Sequence, residues 1–244
     1  MSGGNYVVNT YYAGAESDGN RNYTHLYDKS TYTSLWTAYA LNSSHMGGLD
    51  RPEKWTYSPN IMQSNQVNLT DHSYNDNYSR GHLIPNASRN GNLTMQLQTF
   101  YVTNSVPQIQ GNFNGGIWQQ LEAALQSEAK SEEIYIVTGV AFNKVDESKA
   151  IKYTTAKDDS KKVPVPNYFY KVALKVEKSG NTVTSAMAVG FWFEHKTYSD
   201  KYYNYAVSVD QIEQWTGFDF FVNLPDGVES TAEKNGSWSS FDSF

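Results

Sequence analysis

At 244 residues the chain is long enough to bury a substantial core, and its lack of cysteine excludes disulfides, thiol nucleophiles and thiolate metal sites together. A formal charge of −6, from 19 Lys and Arg against 25 Asp and Glu, excludes attraction of the whole molecule to a polyanion, so any nucleic-acid contact has to come from a local basic cluster. Only 18% of residues are charged while 19 Tyr, 11 Phe and 6 Trp are present, a balance that argues against disorder and favours strands over helical bundles.

The opening residues MSGGNYVVNTYY lack the basic-then-apolar layout of a secretory signal, and no apolar run is long enough to span a membrane. Met1-Ser2-Gly3-Gly4 reads as an added start, and the Tyr/Asn/Ser/Thr-rich, Lys-poor composition suits an extracytoplasmic protein: secreted, periplasmic or on the surface of a bacterium. Tyr23 to Tyr27 and Leu35 to Leu41 are expected as strands, and Asn42 to Tyr78, rich in Ser, Asn, Gly, Pro and Asp, as a long irregular stretch. Gly81 and Pro85 limit regular structure around His82, which is expected in a loop, and Met95 to Thr103 reads as a helix end or short strand.

The run GIWQQLEAALQSEAK has the clearest helical spacing in the chain, and it sets Asn114, Trp118 and Glu122 at i, i+4 and i+8 on one face. Glu133 to Thr138, Tyr168 to Val176 and Val183 to Glu194 are expected as buried strands, the last two joined by a turn at Ser179-Gly180-Asn181. Asn143 to Lys162 reads as a charged, mobile loop and Val209 to Thr216 as a short helix stopped by Gly217. The tail from Val228 is expected to fray. With no repeat and no linker, one domain over residues 1–244 is expected, with a motif-bearing core at about 30–226 and a polar tail at 227–244.

Residues 79 to 122 carry the chemistry. His82 and its neighbour Arg80 supply a base and a phosphate contact, while Asn114 and Glu122 supply oxygen ligands suited to a hard divalent cation. The strings SRGHLIP, FYVTNSVPQ, NFNGGIWQQLE, VTGVAF, VPNYFYKV and VSVDQIEQWTGFDFFVNLPD follow one another in that order. In this ordered set the chain resembles the DNA/RNA non-specific endonucleases, the ββα-metal group that includes the Serratia-type nuclease and endonuclease G.

The resemblance implies an α+β fold, with a central antiparallel sheet flanked by helices and a ββα-metal (His-Me finger) active site. It implies Mg²⁺, with Mn²⁺ as a substitute, acting on DNA and RNA to leave 5′-phosphate products. His82 falls on the family's general base, Arg80 on its motif arginine, Asn114 on its direct metal ligand and Glu122 on the glutamate that hydrogen-bonds the ion's water shell. Asn104 falls on the family's asparagine before Pro-Gln, and Arg51, across a small gap, on a further phosphate-contacting arginine. Ser79 stands where the family's motif carries aspartate, and Asn112 competes with Asn114 for the metal. Oligomeric state and any inhibitor partner stay open.

Each residue also has a plainer reading. His82 could be a structural loop histidine, Asn114 a helix cap, Asn104 a pin for the turn before Pro107, Trp118 a core residue and Glu122 a solvated helix position. His25, His45, His72 and His195 are expected to be structural. A rival for the whole chain is a degenerate nuclease-fold module that binds nucleic acid without turnover, consistent with Ser79 and the acidic balance. A second, a carbohydrate-contacting aromatic surface, leaves His82, Asn114 and Glu122 unexplained.

Overall fold

A computed structural model describes residues 4–244, and the reading of Met1-Ser2-Gly3 lies outside them. In chain order the elements are strands β1 (Tyr6–Tyr12), β2 (Arg21–Asp28), β3 (Thr33–Leu41) and β4 (Tyr78–His82), helix α1 (Leu93–Gln98), strand β5 (Ser105–Ile109), helix α2 (Gln119–Glu128) and strand β6 (Ile134–Ala141). Then follow β7 (Lys152–Thr154), β8 (Val163–Val165), β9 (Tyr168–Ser179), β10 (Thr182–Glu194) and β11 (Ala206–Val207), and helices α3 (Val209–Thr216), α4 (Asp226–Ala232) and α5 (Trp238–Asp242).

Seven strands form one antiparallel sheet in the order β1-β2-β3-β6-β9-β10-β11. Its central strands are buried on both sides, and the period of two along β9 sorts their side chains between two cores. Phe169 and Ala173 face one core with Trp118, Leu121 and Leu125 of the α2 region, while Tyr170, Val172 and Leu174 face the other with Val209 and Ile212 of α3. A residue of β9 in phase with Phe169 and Ala173 therefore points under α2. Lys171 and Lys175 are in that phase, and both are buried.

Several expectations change. β4 and β5 form a separate two-stranded unit, so His82 ends a strand and does not sit in a loop. Regular helix begins only at Gln119, because Gly111, Asn112, Gly115 and Gly116 depart from helical backbone angles; Asn114 therefore precedes the helix that carries Glu122 and does not share its face. The charged stretch 143–162 is partly folded: β7 pairs with β8, and Tyr74 bridges Ala156. The tail does not fray, because α4 and α5 bury Ala232 and Phe241 and Asn235 Nδ2 donates to Ala188 O at 3.0 Å. Among the described residues no helix is long and apolar enough to cross a membrane.

Candidate active site

β4 and β5 pair in the register Ser79↔Gln108, Arg80↔Pro107, Gly81↔Val106 and His82↔Ser105. Gly81 is required by that pairing, since a Cβ there would overlap the buried side chain of Gln108. From the second strand the chain enters the irregular turn 110–118 and then α2, so two strands and a helix converge. Arg51, Ser79, Arg80, His82, Asn114 and Glu122 line one open cavity of about 610 Å³ there.

An alternating stack of cations and rings organises the wall. The Arg80 guanidinium lies 4.8 Å from the Trp55 ring, and Trp55 lies 4.7 Å from His82. His82 lies 5.1 Å from Phe100, over which Arg51 sits at 5.1 Å. Arg80 Nη1 also donates to Leu69 O at 2.8 Å, while Arg51 is paired with the Glu53 carboxylate. The sequence reading missed Trp55 and Phe100, which hold both arginines near the histidine.

Burial, reinforced by the two guanidiniums, pushes the His82 pKa down to about 3, so the imidazole is neutral at neutral pH. Its Nε2 is buried and has no protein hydrogen-bond partner. A buried polar atom left open in this way normally serves water or a ligand.

Asn114 Nδ2 donates to Gln110 Oε1 at 2.9 Å and to Ser79 Oγ at 3.4 Å. Its Oδ1 accepts no hydrogen bond from the described residues and is free to act as a neutral oxygen ligand. Ser79 Oγ in turn donates to Gln108 O at 2.9 Å, so the serine ties the strand pair to Asn114. Asn112 is exposed, outside the cavity lining, and its backbone O accepts from Tyr198 N at 3.4 Å. One amide oxygen with one nearby carboxylate is a sparse donor set, which fits an ion that keeps most of its water, as Mg²⁺ does.

Glu122 occupies the first turn of α2, with its side chain 16% exposed. Burial raises its pKa, and Lys171, whose Nζ lies 3.6 Å from Glu122 Oε1, opposes that rise. Sequence reasoning did not single out Lys171, because one lysine inside an apolar strand gives no period that marks it. Trp118 is a core residue, 1% exposed.

Asn104 does not line the cavity. Its Oδ1 accepts from Ile84 N at 3.0 Å, and its Nδ2 donates to Ile84 O at 3.0 Å and Thr99 O at 2.8 Å. With Leu83 N donating to Asn104 O at 3.0 Å, this buried residue clamps the backbone just after His82 and has no amide group left for a substrate.

The other histidines also stay off the cavity lining. His25 contacts Ser34 Oγ at 2.8 Å, His45 caps Asn42 and His72 pairs with Asp158. His195 Nε2 accepts from Ile109 N at 2.8 Å, which leaves Nδ1 to donate to Pro166 O at 2.9 Å.

A family model described as DNA/RNA non-specific endonuclease matches residues 4–227. A protein named "Nuclease" from Nostoc sp. is 28% identical over 215 residues, which cover 85% of this chain and 73% of that protein. Mitochondrial endonuclease G of Caenorhabditis elegans is 28% identical over 220 residues, which cover 86% of this chain and 69% of that protein. In a crystal structure of an EndoG/EndoGI complex, described in terms of EndoG inhibition, one chain superposes with a TM-score of 0.69 at 21% identity, over 84% of this chain and 85% of that one. The architecture is thus the α+β, ββα-metal fold. The chain belongs to the DNA/RNA non-specific endonuclease family.

Proposed function

We propose that this chain is a divalent-metal-dependent endonuclease that hydrolyses DNA and RNA without regard to the sugar and leaves 5′-phosphate ends. One observation carries the reading: a neutral histidine with a buried nitrogen unclaimed by the protein shares a cavity with two arginines and an oxygen donor pair. A phosphodiester resists attack because its charge repels nucleophiles, so cleavage needs an activated water and a neutralised phosphate. His82 is the base that takes the proton from water. Arg80 and Arg51 hold the phosphate oxygens and offset the charge that builds on them, Arg51 exchanging Glu53 for the substrate.

Asn114 Oδ1 would hold Mg²⁺, or Mn²⁺ in its place, and when bound the ion supplies Lewis-acid charge at the phosphate and the leaving oxygen. Glu122 accepts hydrogen bonds from the water surrounding that position. Ser79 does the orienting work open to a motif residue there, since its hydroxyl already holds Asn114.

Digestion of end-labelled DNA and RNA oligonucleotides tests the product chemistry. The expected result is loss of both substrates with Mg²⁺, none with EDTA, and fragments whose 5′ ends are phosphorylated. Fragments carrying 3′-phosphate or cyclic phosphate ends, or cleavage unaffected by EDTA, would overturn the mechanism.

A further inference from the structure

We infer that Asn86 is a substrate-contact residue, its side-chain amide accepting a hydrogen bond from the nucleoside beside the scissile phosphate. The inference deepens the proposed function and rests on it for the identity of the substrate. Among the described residues, two buried side-chain polar atoms both lack a hydrogen-bond partner and belong to residues that line the cavity: His82 Nε2 and Asn86 Oδ1. The first is assigned to the attacking water, and the second has no assignment. Leaving a buried amide oxygen open is costly, and such an atom is normally met by water or a ligand.

The segment around Asn86 is firmly held. Asn104 clamps Ile84, and Arg89 N donates to Asn86 O at 3.0 Å. The buried Arg89 also donates from Nη1 to Ser88 O at 2.7 Å, and Gln126 Nε2 of α2 donates to Ser88 Oγ at 3.1 Å. The short turn Asn86–Ser88 is thus fixed against α2 with the Asn86 side-chain oxygen left out. A turn asparagine in a structural role turns that oxygen onto a backbone N–H nearby, as Asn92 Oδ1 does in accepting from Met95 N at 3.1 Å; Asn86 does not.

What an amide oxygen can accept narrows the ligand. An ionised phosphodiester offers acceptors only, so Oδ1 cannot serve it, and that contact falls to the arginines. The donors that a nucleic acid offers are the N–H groups of the bases and, in RNA, the 2′-hydroxyl, all of them on the nucleoside. The cavity has room for one. Gln119, Ala123 and Gln126 line it at i, i+4 and i+7 of α2, a span of about 10 Å along the helix axis, and Ala87 and Ala123 are small. The last torsion of an asparagine side chain is broad, so the amide turns toward an arriving donor with little strain.

Asn86→Leu keeps the size of the side chain and removes the amide. Wild type is assayed first with Mg²⁺: if cleavage is absent, the proposed function fails, and the Asn86 claim is then decided by binding. Short fluorescein-labelled single strands of DNA and RNA are titrated in EDTA and followed by anisotropy. Asn86→Leu is expected to weaken binding by about three- to tenfold and to lower kcat/KM by a similar factor, the scale of one hydrogen bond. The slope of log affinity against log salt should stay as in wild type, because no phosphate contact is lost. Equal losses on DNA and RNA place the contact on a base, and a loss on RNA alone places it on the 2′-hydroxyl.

If Asn86→Leu does not fold, Asn86→Ala carries the same test with the same expected loss. Three results would overturn the inference: a wild type that binds neither strand, a folded variant that binds and cleaves as wild type does, or a loss accompanied by a shallower salt slope. The last would mean that the turn merely positions the arginines.

Discussion

His82, Arg80, Asn114 and Glu122 were legible in the sequence because each belongs to a short string with fixed internal spacing, and the fold brings all four to one cavity. Asn104 sits in an equally informative string, yet its amide is used up by Ile84 and Thr99; a string locates a residue but does not say whether its side chain faces the cavity or the backbone. Lys171 shows the converse, since its contact with Glu122 joins residues far apart in the chain that no local pattern links. Asn104→Ala would leave buried partners at Ile84 and Thr99 unpaired, with an expected loss of about 3 kcal/mol of stability. Urea unfolding of the variant checks this, and a loss within about 0.5 kcal/mol would mean that the clamp is dispensable.

At the scale of elements, long periodic segments were read well. β2, β3, β6, β9, β10 and α3 fall where the alternation and the Gly217 stop put them, and the structure adds Ser208 as the N-cap of α3. Gly217, at φ 72°, takes the left-handed conformation that ends α3. β4 and β5 were missed because Gly81 and Pro107 are poor strand formers, and their pairing is imposed by tertiary contacts. α2 was read too long because its three-and-four spacing was carried back past Gly115 and Gly116, two poor helix formers at which the backbone breaks.

The tail was read as frayed because its polar residues hide a few anchors. One of these, Glu233, is buried beside Glu213, Glu229, Asp210 and Asp219, and burial with those like charges pushes its pKa up to about 8 from 4.5. The folded state therefore keeps a proton that the unfolded chain releases. Stability from this group is complete below about pH 4.5 and is lost as pH rises to about 8. Glu233→Gln should accordingly match wild type in melting temperature near pH 4 and exceed it progressively toward pH 8. A pH-independent difference between the two would contradict the shift.

At the scale of the molecule, an acidic chain that belongs to a nuclease family is reconciled by where its charges lie. The net charge is −6, but the cavity wall carries Arg51 and Arg80 in the stack around His82. On the proposed function, attraction to substrate is local to these two arginines, which share the wall with Glu53 and Glu122, and product release is not opposed by a basic exterior. The three-carboxylate cluster of Asp210, Glu213 and Glu233 belongs to the α3 side of the sheet, against the core opposite α2. The division of the sheet into two cores was not readable from composition, but it separates the cavity-lining elements from this acidic end.

The most direct test of the account is degradation of supercoiled plasmid and of RNA by wild type and His82→Ala side by side, each with Mg²⁺ and with EDTA. Wild type is expected to show rapid, EDTA-sensitive cleavage, and the folded variant a loss of at least about a hundredfold, the scale of a lost general base. His82→Ala cleaving as fast as wild type would contradict it.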